Sequence, residues 1–143
     1  MNRLRLVLLL LFAVWLAPLA AAEVPLTRAE RTAIAGVVKG QLAAFAKRDA
    51  RLAFSFASPE LQRQFGSADD FMSTVREDFA ILIAPRSTTF FSAERVEGEV
   101  IQAVRVVGRS GETVVALYTL ERQRNGVWRI TGCELAPSEL QSV

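Results

Sequence analysis

The sequence predicts an α+β domain in which N-terminal helices pack on a curled four-stranded antiparallel sheet. Apolar residues recur at helical spacing from about residue 30 to residue 79. After Pro85 the apolar period falls to two, which is typical of strands. Turn residues, among them Arg124-Asn125-Gly126, divide this second half into short segments. Helices followed by strands indicate an α+β arrangement and not an alternating α/β one.

The first 22 residues have the pattern of a cleaved secretory signal. Arg3 and Arg5 give a basic start, residues 4–16 are otherwise apolar, and Ala20-Ala21-Ala22 supplies the small residues of a cleavage site. The apolar run is shorter than the about 20 residues that a membrane-spanning helix needs. We therefore expect a single exported domain, residues 23–143, that is periplasmic or secreted and free of the membrane after cleavage. The alternative is an uncleaved membrane anchor.

The charge balance argues against nucleic acid as a partner. The chain has 17 basic and 15 acidic residues, and two of the basic ones, Arg3 and Arg5, lie in the predicted signal. The mature domain is then formally neutral. A neutral domain without a basic block attracts neither phosphate backbones nor anionic membrane surfaces.

Cysteine and histidine usage excludes several kinds of chemistry. The lone Cys133 allows no intramolecular disulfide, and the chain has no histidine. Zinc sites built on histidine and Ser-His or Cys-His catalysis are thereby excluded, and we expect no metal site and no cofactor. Cys133 is either a small buried strand residue or, in an oxidising compartment, an intermolecular disulfide or redox thiol.

Four helices are predicted before Pro85. The first begins at a capping box made by Thr27 and Glu30, and its apolar stripe runs to about Arg48. Asp49 is placed to cap a second short helix. The other two helices are Glu60–Phe65, which ends at Gly66, and a segment that starts after a Ser67 cap and carries Phe71, Val75 and Phe79.

Two strand registers can be read from the turns. A three-residue loop 124–126 pairs Glu121 with Arg129, whereas a two-residue loop would oppose two arginines. The loop around Arg109-Ser110-Gly111 sets Gln102 opposite Tyr118. The predicted strands are Thr88–Glu94, Val100–Val107, Thr113–Gln123 and Val127–Leu135.

These registers sort the strand residues onto two faces. The face that holds both large aromatic residues is expected to meet the helices and to contribute to a ligand pocket lined by Tyr118, Trp128, Gln102, Phe54 and Phe79. The other face is also largely apolar, although one face of an antiparallel sheet is usually solvated. We therefore expect this second face to form a homodimer interface through Ile101, Ala103, Val115, Leu117 and Cys133.

Several motifs resemble an exported bacterial family, the domain of unknown function 4864. They are Gln41–Phe45, Ala53–Pro59, Phe65-Gly66 and the ending Trp128–Cys133. The resemblance covers about residues 33–135 and implies the cone fold of the cystatin-like, or nuclear transport factor 2-like, superfamily. It implies no particular reaction. Relatives tend to carry Gly-Tyr-Pro-Pro-like residues where this chain has residues 78–85, so a role for that tyrosine does not transfer.

Three functional hypotheses follow. The preferred one is non-catalytic binding of a small apolar ligand or a protein partner. The second is a cofactor-free isomerase or dehydratase, the kind of enzyme found on cones that this chain resembles, in which Tyr118 acts with a helix carboxylate from Glu77 or Asp78. The third is a structural or interaction subunit whose cavity is filled.

Overall fold

The computed structural model describes residues 22–138, so residues 1–21, nearly the whole predicted signal, lie outside the described part of the chain. Within it, helices pack on one antiparallel sheet, which confirms the α+β class. None of the helices in residues 22–138 is both long enough and apolar enough to cross a bilayer. The helices are α1 (Arg28–Ala46), α2 (Ala50–Ser55), α3 (Pro59–Phe65), α4 (Ala68–Asp78) and a 3₁₀ turn (Ala80–Leu82).

The described part of the sheet has five strands where four were predicted. The sheet order is β1-β3-β4-β5, and β2 pairs with the remaining length of β3, beyond β1. The predicted first strand is therefore two strands that share one edge. Their bounds, with the others, are β1 (Ser87–Phe90), β2 (Glu94–Val96), β3 (Glu99–Val107), β4 (Thr113–Arg122) and β5 (Trp128–Pro137).

Gln102 fixes the break between β1 and β2. The Gln102 amide Nε2 donates to the Phe91 carbonyl at 2.7 Å and to the Ala103 carbonyl at 3.0 Å. Gln102 is buried, whereas Phe91 is 40 % exposed. A buried side-chain amide thus satisfies a backbone group that a continuous strand would have paired with its neighbour.

The helix starts follow the predicted caps. Thr27 and Glu30 form the capping box, with the Thr27 N–H donating to Glu30 Oε2 at 2.8 Å. Asp49 Oδ1 accepts from the Leu52 N–H at 3.0 Å, and Ser67 Oγ accepts from the Asp70 N–H at 3.1 Å. Each cap satisfies a donor that the first helical turn leaves free.

Both predicted registers are confirmed. Glu121 pairs with Arg129, and Gln102 pairs with Tyr118. Gly126, which closes the loop between β4 and β5, has φ 85°, a left-handed conformation that glycine adopts at no steric cost.

β5 contains a bulge two residues after Arg129. Leu120 pairs with Ile130 but Thr119 pairs with Gly132, so Thr131 is an extra residue. The Thr131 hydroxyl donates to the Thr119 hydroxyl at 3.0 Å. Because side chains alternate with a period of two, one extra residue exchanges the faces of every later side chain in the strand.

The bulge overturns the expected position of Cys133. Cys133 pairs with Tyr118 and packs against the core beneath the helices, as does Leu135 opposite Ala116. The prediction that Cys133 lies on the outer face was therefore wrong. The remaining outer-face residues, Ile101, Ala103, Val115 and Leu117, do share that face, and none of them belongs to the core cluster.

The turn between α2 and α3 attaches the helices to β5. The Ser58 N–H donates to the Ile130 carbonyl at 2.8 Å, and the Ile130 N–H donates to the Phe56 carbonyl at 2.9 Å. Ala57 thereby forms a parallel bridge with Ile130. Ser58 is 1 % exposed, and its hydroxyl caps α3. The Ser58-Pro59 pair is thus a structural turn.

Gln62 holds this turn from the other side. The Gln62 amide Nε2, on α3, donates to the Phe54 carbonyl at 3.0 Å and to the Ala57 carbonyl at 3.1 Å. No residue of α3 is fully buried. The position of α3 therefore depends on polar contacts to a greater extent than that of α1, which has a buried apolar stripe.

Replacing Gln62 by methionine should destabilise the domain by about 1–3 kcal/mol while side-chain size is kept. The Ala57 carbonyl loses the Gln62 donor, and the Phe54 carbonyl keeps the Ala57 N–H. Gln64→Met is the matched control. Gln64 is exposed on the same helix, and its replacement should change the free energy of unfolding by less than about 0.5 kcal/mol. Urea unfolding measures both variants. Equal effects at the two positions would contradict the role assigned to Gln62.

Candidate functional site

A cavity of about 200 Å³ lies between the helical layer and the β4–β5 half of the sheet. Helices α1, α3 and α4 form one side, and β4 and β5 form the other. The wall carries no charged side chain. The residues that line it are Gln41, Phe45, Leu61, Phe65, Phe71, Thr74, Val75, Phe79, Leu82, Tyr118, Ile130, Gly132 and Cys133.

A cluster of phenylalanines sets the helical side of the wall. The Phe71 ring, on α4, lies 5.2 Å from the Phe65 ring in an edge-to-face arrangement. It also lies 6.1 Å from Phe45 and 5.5 Å from Phe54, in tilted arrangements. These centroid distances are those of favourable aromatic pairs. Phe71 therefore joins four helices at one point, and rigid rings form much of this wall.

Tyr118 is the buried polar residue of the sheet side. It is 1 % exposed, and its hydroxyl has no hydrogen-bond partner in residues 22–138. Burial raises the pKa of Tyr118 well above its ordinary value, and the neighbouring Cys133 thiol raises it further. The hydroxyl therefore stays protonated and can donate. An unpartnered buried hydroxyl costs about 1–3 kcal/mol, so it stands out among groups that are otherwise satisfied.

Cys133 is the neighbour of Tyr118 in the wall. Burial raises the pKa of the Cys133 thiol to about 12, against a smaller opposing influence of the Tyr118 hydroxyl. The Tyr118 hydroxyl and the Cys133 thiol are close enough for their contact to raise the pKa of Tyr118 and to lower that of Cys133. This contact does not reach the geometry of a hydrogen bond, so the hydroxyl keeps the capacity for one. The Cys133 thiol makes a weak contact, 4.0 Å to the Glu134 carbonyl. A thiol in this state is a small apolar wall group and not a nucleophile.

Gln41 supplies the polar group on the helical side. It is 3 % exposed on α1, and its amide Nε2 donates to the Ala53 carbonyl of α2 at 3.2 Å. Since the amide nitrogen is directed to the backbone, the carbonyl oxygen is what Gln41 can offer to the cavity. Gln41 and Tyr118 are thus two residues of an otherwise mainly apolar wall that carry an acceptor and a donor not used by the described fold.

Two of the five predicted pocket residues line this cavity, and three do not. Tyr118 and Phe79 line the cavity. Gln102 is on the expected face, but it belongs to β3, outside the β4–β5 half of the sheet, and its amide donates to backbone carbonyls. Trp128 is buried where β5 begins, and Phe54 packs behind Phe71. Gln102, Trp128 and Phe54 thus lie in or against the core, outside the wall of this cavity.

Sequence reasoning missed most of the wall for two reasons. Leu61 and Thr74 lie on helices whose rotation over the sheet cannot be read from spacing alone. Gly132 and Cys133 reach the cavity because of the bulge at Thr131. The aromatic pattern of Phe45, Phe65 and Phe71 was available as a signal, but it is the usual pattern of a core.

The wall lacks a group that could act as a general base. None of its described residues is Asp or Glu, and Glu77 and Asp78, the helix carboxylates considered above, are exposed. In residues 22–138 there is also no group of three or more potential ligands that could hold a metal ion. The arrangement can therefore exclude water and offer hydrogen bonds, but it supplies no acid-base pair of its own.

The outer face of the sheet is a second surface of interest. Ala103 pairs with Leu117, and Val115 pairs with Arg105 and with Ala136. Val115 is 3 % exposed, while Ala103 and Leu117 are half-buried. Apolar residues thus occupy the centre of a face that lies away from the core cluster.

The comparison with known proteins concerns the family and not an activity. Neither a curated protein nor a solved structure matches the chain. The family described as Domain of unknown function (DUF4864) matches residues 27–143, a range that includes every helix and strand described above. A match over this share of the sequence makes the chain a member of that domain family, DUF4864.

Proposed function

We propose that this domain binds a small, uncharged, mainly apolar molecule in the cavity between the helices and β4–β5. The observation that carries the proposal is a cavity of about 200 Å³ whose wall is largely aromatic and aliphatic and has no charge. Sites for small molecules are typically concave and mostly apolar, with a few polar groups that orient the ligand. The wall described above has these features.

The size of the cavity supports this proposal over a filled structural core. Protein interiors are packed closely and contain few voids larger than a water molecule. An apolar cavity of about 150 Å³ is enough to take up benzene. The cavity beside Tyr118 is larger than this, so it has room for a ligand of at least that size.

The same geometry favours binding over catalysis. Isomerase or dehydratase chemistry needs a base near the reacting carbon, and the wall contains no carboxylate. Tyr118 could polarise a bound group but could not remove a proton from it, because its own hydroxyl stays protonated. Non-catalytic binding therefore requires nothing that the site lacks.

We place this binding outside the cytoplasm, on the cone fold of the cystatin-like superfamily. Support for export is the signal-like pattern of the first 22 residues. Support for the cone is the order of helices before an antiparallel sheet that packs its core on one face.

Toluene should bind the wild-type domain and shift the NMR signals of the Leu61, Val75 and Ile130 methyl groups, which line the cavity. Thr74→Trp should weaken this binding by about tenfold or more, because the indole takes up cavity space. Glu77→Trp is the matched control: Glu77 is exposed on the same helix, and its replacement should leave the affinity unchanged. Absence of methyl shifts near saturation with toluene would contradict the proposed function.

Toluene affinity should stay constant between pH 5 and pH 9. Tyr118 and Cys133 are the titratable groups in the described wall, and burial raises the pKa of both. Both groups thus stay neutral across this range, since an acid with a raised pKa loses its proton only at higher pH. A titration at each pH measures the affinity. If toluene bound the wild type more weakly above pH 8 and Cys133→Ala removed this weakening, the thiolate would form in that range. That result would contradict the expectation.

We also propose that the outer face forms a homodimer. A two-fold axis sets one patch against its own copy, so the patch must be self-complementary. Its half-buried apolar residues are Ile101, Ala103 and Leu117, whereas Val115 is already buried within the single chain. Arg105 on β3 and Glu134 on β5 give its rim both signs of charge. A second copy would cover the apolar centre while opposite charges meet at the rim.

Leu117→Lys should convert this dimer to a monomer, because a lysine would have to be buried at the centre of the apolar patch. Sedimentation equilibrium at micromolar concentrations measures the mass. Thr88→Lys, which adds the same charge at an exposed position of β1, should leave the dimer intact. A wild-type protein that sediments as a monomer would refute the proposed interface without affecting the cavity.

A further inference from the structure

We propose that the molecule bound in the cavity carries an oxygen atom that accepts a hydrogen bond from the Tyr118 hydroxyl. The ligand class is then a neutral apolar molecule with one ketone, ester, ether or hydroxyl oxygen. The inference rests on the proposed function, since it assigns the chemistry of the same site. Nothing in the apolar wall alone distinguishes such a ligand from a hydrocarbon. The distinction comes from two polar groups.

The first group is the Tyr118 hydroxyl. It is the buried side-chain polar atom of residues 22–138 that lacks a partner. Other buried polar side chains are used by the fold: the Gln102 amide binds the Phe91 and Ala103 carbonyls, and Ser58 caps α3. A buried donor without a partner is the feature that a ligand acceptor would complete.

The position of Tyr118 in the sheet explains why the hydroxyl is left for a ligand. Its cross-strand neighbours are Gln102 on one side and Cys133 on the other. Gln102 directs its amide to the edge of the sheet, and Cys133 offers a sulfur, which is a weak acceptor. Neither neighbour satisfies the phenol, whose residue lines the cavity.

The second group is the Gln41 side chain. Its amide nitrogen is directed to the Ala53 carbonyl, which leaves its carbonyl oxygen as an acceptor on the opposite wall. A hydroxyl group on the ligand can therefore accept from Tyr118 and donate to Gln41. A ketone or an ether uses Tyr118 alone. A carboxylate is disfavoured, because no cation in the wall would compensate its burial.

Two probes of the same shape test the inference: acetophenone, which has a carbonyl oxygen, and α-methylstyrene, which has a methylene group in its place. Their dissociation constants are measured by NMR titration for the wild type and for Tyr118→Phe. Loss of the hydroxyl should weaken acetophenone binding by about tenfold and change α-methylstyrene binding by less than about twofold. Differences in hydration between the probes cancel, because each probe is compared with itself.

A second readout uses only the wild-type protein. The carbonyl stretch of isotope-labelled acetophenone should shift to lower frequency on binding, as it does when a carbonyl accepts a hydrogen bond. Equal changes for both probes in Tyr118→Phe, or an unshifted carbonyl stretch in the wild type, would overturn the inference and leave the proposed function standing. Failure of both probes to bind the wild type would overturn the two proposals together.

Discussion

The structure depends on the pair of backbone hydrogen bonds that join the α2–α3 turn to Ile130. Through them Ser58 and Phe56 extend the sheet beyond β5 by one parallel bridge. The bridge satisfies backbone groups at the edge of β5, which would otherwise be open to pairing with another chain. It also fixes the height of α3 above the sheet. The cavity exists because the helices are held at this edge of the sheet.

The bulge at Thr131 is the second constraint on the site. It lies next to the bridge, so β5 contributes Ile130 before the extra residue and Cys133 after it to the same side of the sheet. A regular strand would have placed Cys133 on the outer face. Gly132 suits this position, because a side chain there would crowd the Thr119 hydroxyl. Local irregularity in one strand thus determines part of the wall.

These two features show how far the sequence could predict the fold. Caps such as Thr27 and Asp49 are local, and turn lengths determine register, so the helix starts and the pairing of Glu121 with Arg129 could be read directly. Gly132 is a weaker local signal, because a glycine inside a strand often marks a bulge but does not give the position of the extra residue. The break between β1 and β2 depends on Gln102, a residue distant in sequence. Long-range contacts of this kind are not contained in periodicity.

In the candidate site, too, local patterns give part of the arrangement and long-range contacts give the rest. Tyr118 and Phe79 line the cavity, since strand alternation and helical spacing direct them inward. Trp128 and Gln102 also face inward, but alternation gives only the face of a residue and not its position along the sheet. That the Tyr118 hydroxyl lacks a hydrogen-bond partner can be seen only from the positions of its neighbours in the fold. The proposed ligand chemistry therefore rests on one unsatisfied group and not on the pattern of residue types.

The weak attachment of α3 has a kinetic consequence. Its half-buried residues Leu61 and Phe65 form part of the cavity wall, yet the helix has no fully buried residue and is retained largely by its Gln62 and Ser58 contacts. Displacing this one short helix would widen the cavity, which is already partly open, while the sheet and α1 stay intact. Such a local opening costs less free energy than global unfolding, so this side of the wall opens more often than the whole domain unfolds.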